Sequence, residues 1–182
     1  MSSESWYFTV AALTAFVIAV AVMDLTTRRI PNRLTVPAAA LAFGSHLATA
    51  GALGALHSAA GLAVGLAVFL PMFLAGGSGG GDVKAMAAVG AFLGPAGAFF
   101  AILWTLVLGL FGGLIVLVST AGPGGVGELL RRWVFRVYVL CTTGHTAHVP
   151  HSGAEAAGQR FPYGLAIAGG TLISLVWSAY RG

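Results

Sequence analysis

The stretch GGSGGGDVK, residues 76–84, lies between two long apolar segments of the chain. Glycine loses more backbone freedom on folding than other residues and has no side chain to pack, so its repeated use here calls for a reason. The stretch also contains Asp82, and the chain has one other aspartate, Asp24. We expect these two carboxylates to come together in the fold.

The composition predicts an integral membrane protein. Hydrophobic residues make up 58% of the chain and charged residues 8%, whereas soluble domains have about 25% charged residues. So few charges cannot cover a surface that faces water. In a membrane protein, lysine and arginine mainly indicate the orientation of the spans, so the net charge of +4 does not predict a nucleic-acid partner. The single cysteine, Cys141, excludes an intramolecular disulfide and a CxxC zinc site.

The predicted fold is an all-α bundle of about six transmembrane helices that forms a single domain, residues 1–182. A spanning helix needs roughly 20 mostly apolar residues. A loop at 121–160 follows the fifth span, and Gly94-Pro95 predicts the break between the fourth and fifth. The predicted spans are residues 6–23, 34–50, 53–74, 82–94, 98–120 and 161–180.

Positive charge predicts the orientation of these spans. In the six-span arrangement, every lysine and arginine except Arg181 falls in the loops on one side, and the positive-inside rule makes that side cytoplasmic. The N-terminus is then outside, and both aspartates lie at the cytoplasmic boundary of a multi-pass protein of the inner (cytoplasmic) membrane. Glu4 precedes the first apolar segment and the arginines follow it, which favours a retained span over a signal peptide.

The long loop offers two interpretations. Residues 127–140 fit an amphipathic helix on the membrane surface and equally a solvated connector. His145, His148 and His151 are regularly spaced, but no carboxylate or thiol completes a ligand set, so neither a metal nor another cofactor is expected.

Paired carboxylates at a membrane boundary predict chemistry. Ionisable groups there are usually functional or paired, and two carboxylates at close range share one proton. Such a pair can take a proton from water and give one to a leaving amine, which hydrolyses a peptide without a metal. Asp82 begins a predicted helix and Asp24 ends one, so helix polarity favours the shared proton on Asp24, although the pair titrates as a unit.

The residues around the aspartates have functional and structural interpretations. Gly79 and Gly81 leave room for a substrate backbone beside Asp82; the alternative is a flexible linker with Asp82 as a helix cap. Lys84 carries a charge near the pair or anchors the chain at the interface. Asn32 is more readily a helix cap than a catalyst, and Tyr163 either hydrogen-bonds near the pair or belongs to the interfacial belt.

Three motifs together resemble the type IV prepilin peptidase family. GGGDVKAMAAVGAFLG, residues 79–94, resembles its GxGD signature, DLTTRRIPNRLT, residues 24–35, resembles its other aspartate motif, and PYGLAIAGG, residues 162–170, is similar to its closing helix. The resemblance implies an aspartic endopeptidase with Asp24 and Asp82 as the catalytic pair. It further implies cleavage of a short positively charged leader from prepilin-like proteins at the cytoplasmic membrane face, commonly after a glycine.

The chain departs from the longer members of that family, which carry an N-terminal insertion with two CxxC pairs linked to methylation. It looks like the short form associated with Flp-type (tight-adherence) pili or with archaeal preflagellin processing, so methyltransferase activity is not expected. The implied partners are a prepilin-like substrate, the lipid bilayer, and pilus or type II/IV secretion machinery. The loop at 121–160 matches nothing in the family pattern.

Two other classes of function compete with the peptidase. A small proton-coupled transporter or channel subunit would use the aspartates as a proton or ion site near the membrane midplane. A non-catalytic subunit of a secretion machine would not need the pair. Both aspartates lie at predicted helix ends, which favours the peptidase.

Overall fold

The computed structural model describes residues 3–74, 78–121 and 162–181, with residues 127, 131, 134, 135 and 142 between them. Residues 1–108 and 162–182 form one compact unit and residues 109–161 another; the candidate site lies in the first. The proposed loop features, the 127–140 helix and the three histidines, fall almost wholly outside the described residues.

The described part of the chain is all-helical and contains no strand. Its four helices are α1, Ser3–Thr27, α2, Asn32–Leu74, α3, Gly80–Ala121, and α4, Tyr163–Arg181. Helices α1, α2 and α3 are long and apolar enough to cross a membrane, and α4 contains a shorter apolar stretch. The all-α prediction is confirmed for the described residues, and the three long apolar helices support the prediction of a membrane protein.

The described residues form four helices, so they do not by themselves show the six that were predicted. Gly51 (φ 60°) in α2 and Gly94 (φ 69°) in α3 are non-helical, and both lie at or near the junctions between predicted spans. Because glycine adopts positive φ without steric cost, helix resumes directly beyond each of them. Two predicted pairs of helices are therefore two long, interrupted helices.

Helix α2 turns back on itself at Gly51. The ring centroids of His46 and His57 lie 5.8 Å apart, whereas the same number of residues in a straight helix would separate them by about 16 Å. A Cβ at Gly54 would overlap the backbone carbonyl of His46. The two halves of α2 therefore lie side by side.

The second half of α2 packs antiparallel to the first half of α3. Gly61 faces Gly90, and Gly65, further along α2, faces Met86, which is earlier in α3. Glycines at these positions let the two backbones touch, as is typical of helix contacts in membranes.

Helix α3 also reverses, at Gly94. Residues 97–108 of α3 run antiparallel to α4, since Gly169 contacts Leu108 and Ser174 Oγ donates a hydrogen bond to Gly97 O at 3.2 Å. The start of α4 nevertheless lies near the start of α3, since Tyr163 is within range of the charge of Asp82. A straight α3 could not meet both conditions.

Side chains of α2 donate hydrogen bonds to the α3 carbonyls that lose their helical donors at this reversal. Pro95 has no N–H, so the carbonyl of Ala91 lacks its helical donor. Ser58 Oγ donates to Ala91 O at 2.8 Å. His46 Nε2 donates to the next carbonyl, Phe92 O, at 3.0 Å. Protein groups therefore act as donors for the carbonyls that the break in α3 leaves without helical partners.

Candidate active site

Asp24 continues the buried face of α1. Leu13, Val17 and Val20 are fully buried, and Asp24, on the same helical face, is 8% exposed. Arg28 is left-handed (φ 52°) and ends α1 just beyond the aspartate, with its N–H donating to Asp24 O at 3.0 Å. The apolar pattern of α1 therefore places a carboxylate inside the bundle, at the end of the helix.

The Asp24 carboxylate meets the first turn of α4. The N–H of Gly164 donates to Asp24 Oδ2 at 2.6 Å. A helix leaves its first N–H groups without partners, and a carboxylate is a strong acceptor for them. Asp24 thus lies at the C-terminal end of one helix and the N-terminal end of another. Helix polarity therefore no longer distinguishes Asp24 from Asp82, and the preference of the shared proton for Asp24 stays a prediction without that support.

Asp82 lies in the first turn of α3 and is also 8% exposed. Its Oδ2 accepts the N–H of Gly79 at 2.9 Å, which is the side chain's half of a capping box. The helix-cap interpretation of Asp82 is therefore correct as geometry. It does not exclude chemistry, because the hydrogen bond uses only one of the two carboxylate oxygens.

The fold brings the two aspartates within electrostatic range, since the charge of Asp24 acts on Asp82. Asp82 in turn acts on Tyr163, the first residue of α4. The Tyr163 ring packs edge-on against Phe69, with centroids 6.1 Å apart, so it is anchored against α2. Asp24, Asp82 and Tyr163 are thus gathered where α1 ends and α3 and α4 begin.

Lys84 and Asn32 are partners of each other. Lys84 Nζ donates to Asn32 Oδ1 at 2.8 Å, and both side chains are exposed. This hydrogen bond links the first turn of α2 to the first turns of α3. The structure therefore gives both residues a bridging contact close in sequence to Asp82.

The glycines before Asp82 differ in their surroundings. A Cβ at Gly79 would lie 3.2 Å from Asp82 Oδ2, and one at Gly80 would meet only the ring of Phe73, at 3.5 Å. At Gly81 a Cβ would lie 3.0 Å from Ile30 Cβ. Gly81 thus lets α3 pack against the α1–α2 connection, and the lack of a side chain at Gly79 leaves the space on that side of the Asp82 carboxylate open.

Within the described ranges, no group of three or more histidine, cysteine, aspartate or glutamate side chains is arranged to hold a metal ion.

The contact to a catalytic candidate that the sequence did not predict is the hydrogen bond from Gly164 to Asp24. Its only sequence signal is a glycine two residues after Pro162, where a helix begins close to other backbone.

Comparison with known proteins places the chain in a family. No curated protein and no solved structure matches it. The model of the type IV leader peptidase family matches residues 11–114, more than half of the 182 residues, and this range includes Asp24 and Asp82. The chain belongs to the type IV leader peptidase family.

Proposed function

We propose that this protein is a membrane-embedded aspartic endopeptidase that removes the leader peptide from prepilin-like proteins, with Asp24 and Asp82 as its catalytic pair. The observation that carries the proposal is the convergence of the chain's two aspartates, both largely buried, at adjoining helix ends. Family membership supplies the class of reaction, a protease of the leader-peptidase type.

The pair supports hydrolysis through water. One carboxylate is ionised and takes a proton from a water molecule while the water oxygen attacks the scissile carbonyl carbon. The other carboxyl gives its proton to the carbonyl oxygen, which forms a tetrahedral diol. As the C–N bond breaks, the first carboxyl gives the proton that it took from water to the leaving amine, while the second, now ionised, takes a proton from a hydroxyl of the diol. The products are a new carboxyl terminus and a new N-terminus, and the pair again holds one proton.

The hydrogen bonds around the pair suit this chemistry. Gly164 N–H holds Asp24 Oδ2, and Gly79 N–H holds Asp82 Oδ2. Each carboxylate is fixed by backbone through one oxygen, which limits the reorganisation needed during the reaction. Gly79 is exposed and has no side chain, so an extended substrate has room to approach Asp82.

We place the pair at the cytoplasmic face of the inner membrane. The reversals at Gly51 and Gly94 support six crossings made by four helices, since each divides a long helix into antiparallel halves. The charged loops that follow α1 and precede α3 then share one side, which the positive-inside rule makes cytoplasmic. A leader that is itself positively charged and cytoplasmic would reach the aspartates there.

The position of the aspartates argues against a transporter. A transport site lies near the membrane midplane, within interrupted helices. Here the interruptions are Gly51 and Gly94. Asp24 lies instead near the C-terminal end of α1, and Asp82 near the N-terminal end of α3. The helix breaks and the ionisable pair are therefore at different levels of the bundle.

Co-expression with a prepilin-like protein encoded in the same genome tests the proposal. We expect the wild type to shorten the prepilin by its leader, and Asp24→Asn and Asp82→Asn each to leave it intact at equal expression. Thr26→Ala, an exposed change near the end of α1, serves as the control and should cleave normally. Normal cleavage by either asparagine variant would rule out the dyad and reopen the transporter interpretation.

A further inference from the structure

The beginning of α4 contacts Asp24 from a distant part of the sequence, and the proposed reaction gives this helix no chemical step. Gly164 N–H donates to Asp24 Oδ2 across 140 positions of sequence. Gly164 also lies beyond residues 11–114, which the family model matches. Asp24 therefore acts as the capping acceptor for a distant helix, a task that Ser, Thr, Asp or Asn usually performs for its own helix.

The contact leaves no room for a side chain at position 164. A Cβ there would lie 2.6 Å from Asp24 Cβ and 2.9 Å from Asp24 Oδ2. These distances are shorter than non-bonded atoms allow, so any residue larger than glycine would displace either helix α4 or the Asp24 side chain. The short hydrogen bond and the missing side chain are thus two parts of one close approach.

Helix α4 is itself held firmly on both sides of this contact. The Tyr163 ring lies against Phe69, and Ser174 Oγ bonds to Gly97 O. Between them, Gly170 packs so tightly on α3 that a Cβ would overlap the Thr105 hydroxyl. The Gly164 N–H is therefore a donor with a fixed position, and not the frayed end of a free helix.

We propose that Gly164 is a positioning residue for the aspartate pair. Its N–H holds one oxygen of Asp24, and its lack of a side chain lets the α4 backbone come this close to the carboxylate. The carboxylate is therefore oriented before substrate binds. Gly164 acts only through Asp24 and does not contact the substrate. This inference rests on the proposed function for its catalytic consequence, while the contact itself can be tested without any substrate.

Nuclear magnetic resonance tests the contact directly. Tyr163-Gly164 is the only Tyr-Gly pair in the sequence. In the full chain labelled with ¹³C-carbonyl tyrosine and ¹⁵N-glycine, a spectrum that correlates an amide N–H with the preceding carbonyl carbon therefore shows a single signal, that of Gly164. We expect its amide proton far downfield, as for a charge-assisted hydrogen bond. It should move upfield in Asp24→Ala and, by less, in Asp24→Asn, but not in Thr26→Ala. An unmoved resonance in Asp24→Asn overturns the proposal even if Asp24→Ala does not fold.

Kinetics tests the role. In Gly164→Ala we expect kcat on the co-expressed prepilin, now purified, to fall about 100-fold, as for a small misplacement of a catalytic group. KM should stay within about twofold, because ground-state binding is not affected. Gly44→Ala, a helical site with open space around it, should match the wild type.

The outcomes separate the two proposals. A Gly164→Ala enzyme with wild-type kcat, or with a loss confined to KM, overturns the positioning role and leaves the peptidase intact. A wild type that does not cleave the prepilin removes the peptidase proposal and the role with it, whatever the resonance shows.

Discussion

Gly61 of α2 and Gly90 of α3 pack backbone against backbone, so closely that a Cβ on either would overlap the carbonyl of the other. This contact joins the second half of α2 to the half of α3 that carries Asp82. Alanine at either position must push the two helices apart, and overpacking of this kind costs about 1–3 kcal/mol. We expect Gly61→Ala and Gly90→Ala to lower the thermal midpoint of the detergent-solubilised protein.

Two glycines with open surroundings provide the control for that prediction. No atom lies within 4 Å of a Cβ placed at Gly44 or Gly113. Alanine there should leave the midpoint unchanged or raise it, since alanine favours helix by about 1 kcal/mol over glycine. If all four variants behaved alike, the close packing of α2 on α3 would be contradicted.

Ser58→Ala tests the repair of the break in α3. The variant leaves the buried Ala91 carbonyl without its donor, and an unsatisfied buried group costs about 1–3 kcal/mol. Ser119→Ala removes a serine hydroxyl that is exposed and bonds only within its own helix, so it should cost far less. Equal midpoints in a thermal melt of the two variants would show that Ser58 Oγ does not serve this carbonyl.

Gly79→Ala and Gly80→Ala compare two neighbouring glycines of the motif before Asp82. A methyl group at 79 would lie against Asp82 Oδ2, while one at 80 would make an ordinary contact with Phe73. We expect Gly79→Ala to lower kcat/KM for prepilin cleavage by about tenfold or more, which corresponds to about 1.4 kcal/mol of transition-state binding. Gly80→Ala should cleave like the wild type, and the reverse order would contradict the proposed approach of substrate over Gly79.

A double-mutant cycle tests the bridge between Lys84 and Asn32. If their hydrogen bond is what each residue contributes, Lys84→Met and Asn32→Ala should each destabilise the protein slightly, and the double variant no more than either. Because both side chains are exposed, each loss should stay below about 1 kcal/mol. Strictly additive losses in chemical unfolding would show that the two residues act separately.

The sequence predicted the parts of the fold that depend on local pattern. The apolar segments became helices, and the predicted junctions coincide with Gly51 and Gly94, or lie close to them, because glycine marks a change of direction locally. The sequence did not predict that α2 and α3 would each continue through such a junction, because apolar periodicity does not reveal whether a loop or a single left-handed residue joins two segments.

In the candidate site, too, the sequence predicted the residues but not the contacts that tertiary packing creates. Asp24 and Asp82 were predicted from their rarity, their position at membrane boundaries and the family motifs. The Gly164 contact was not, since it joins helices that only the tertiary packing brings together. Likewise, Gly81 was expected beside the substrate, but the contact that a side chain there would meet is Ile30.

The most direct test of the central claim is to ask whether the two aspartates act as one unit. We would measure kcat/KM for prepilin cleavage by the purified protein in lipid vesicles, for the wild type, Asp24→Asn, Asp82→Asn and the double variant. Groups that share one catalytic task are strongly non-additive. We predict that each single variant loses at least about 1,000-fold and that the double variant loses no more. A double variant whose loss equals the product of the single losses, or a single variant with wild-type activity, would contradict the account.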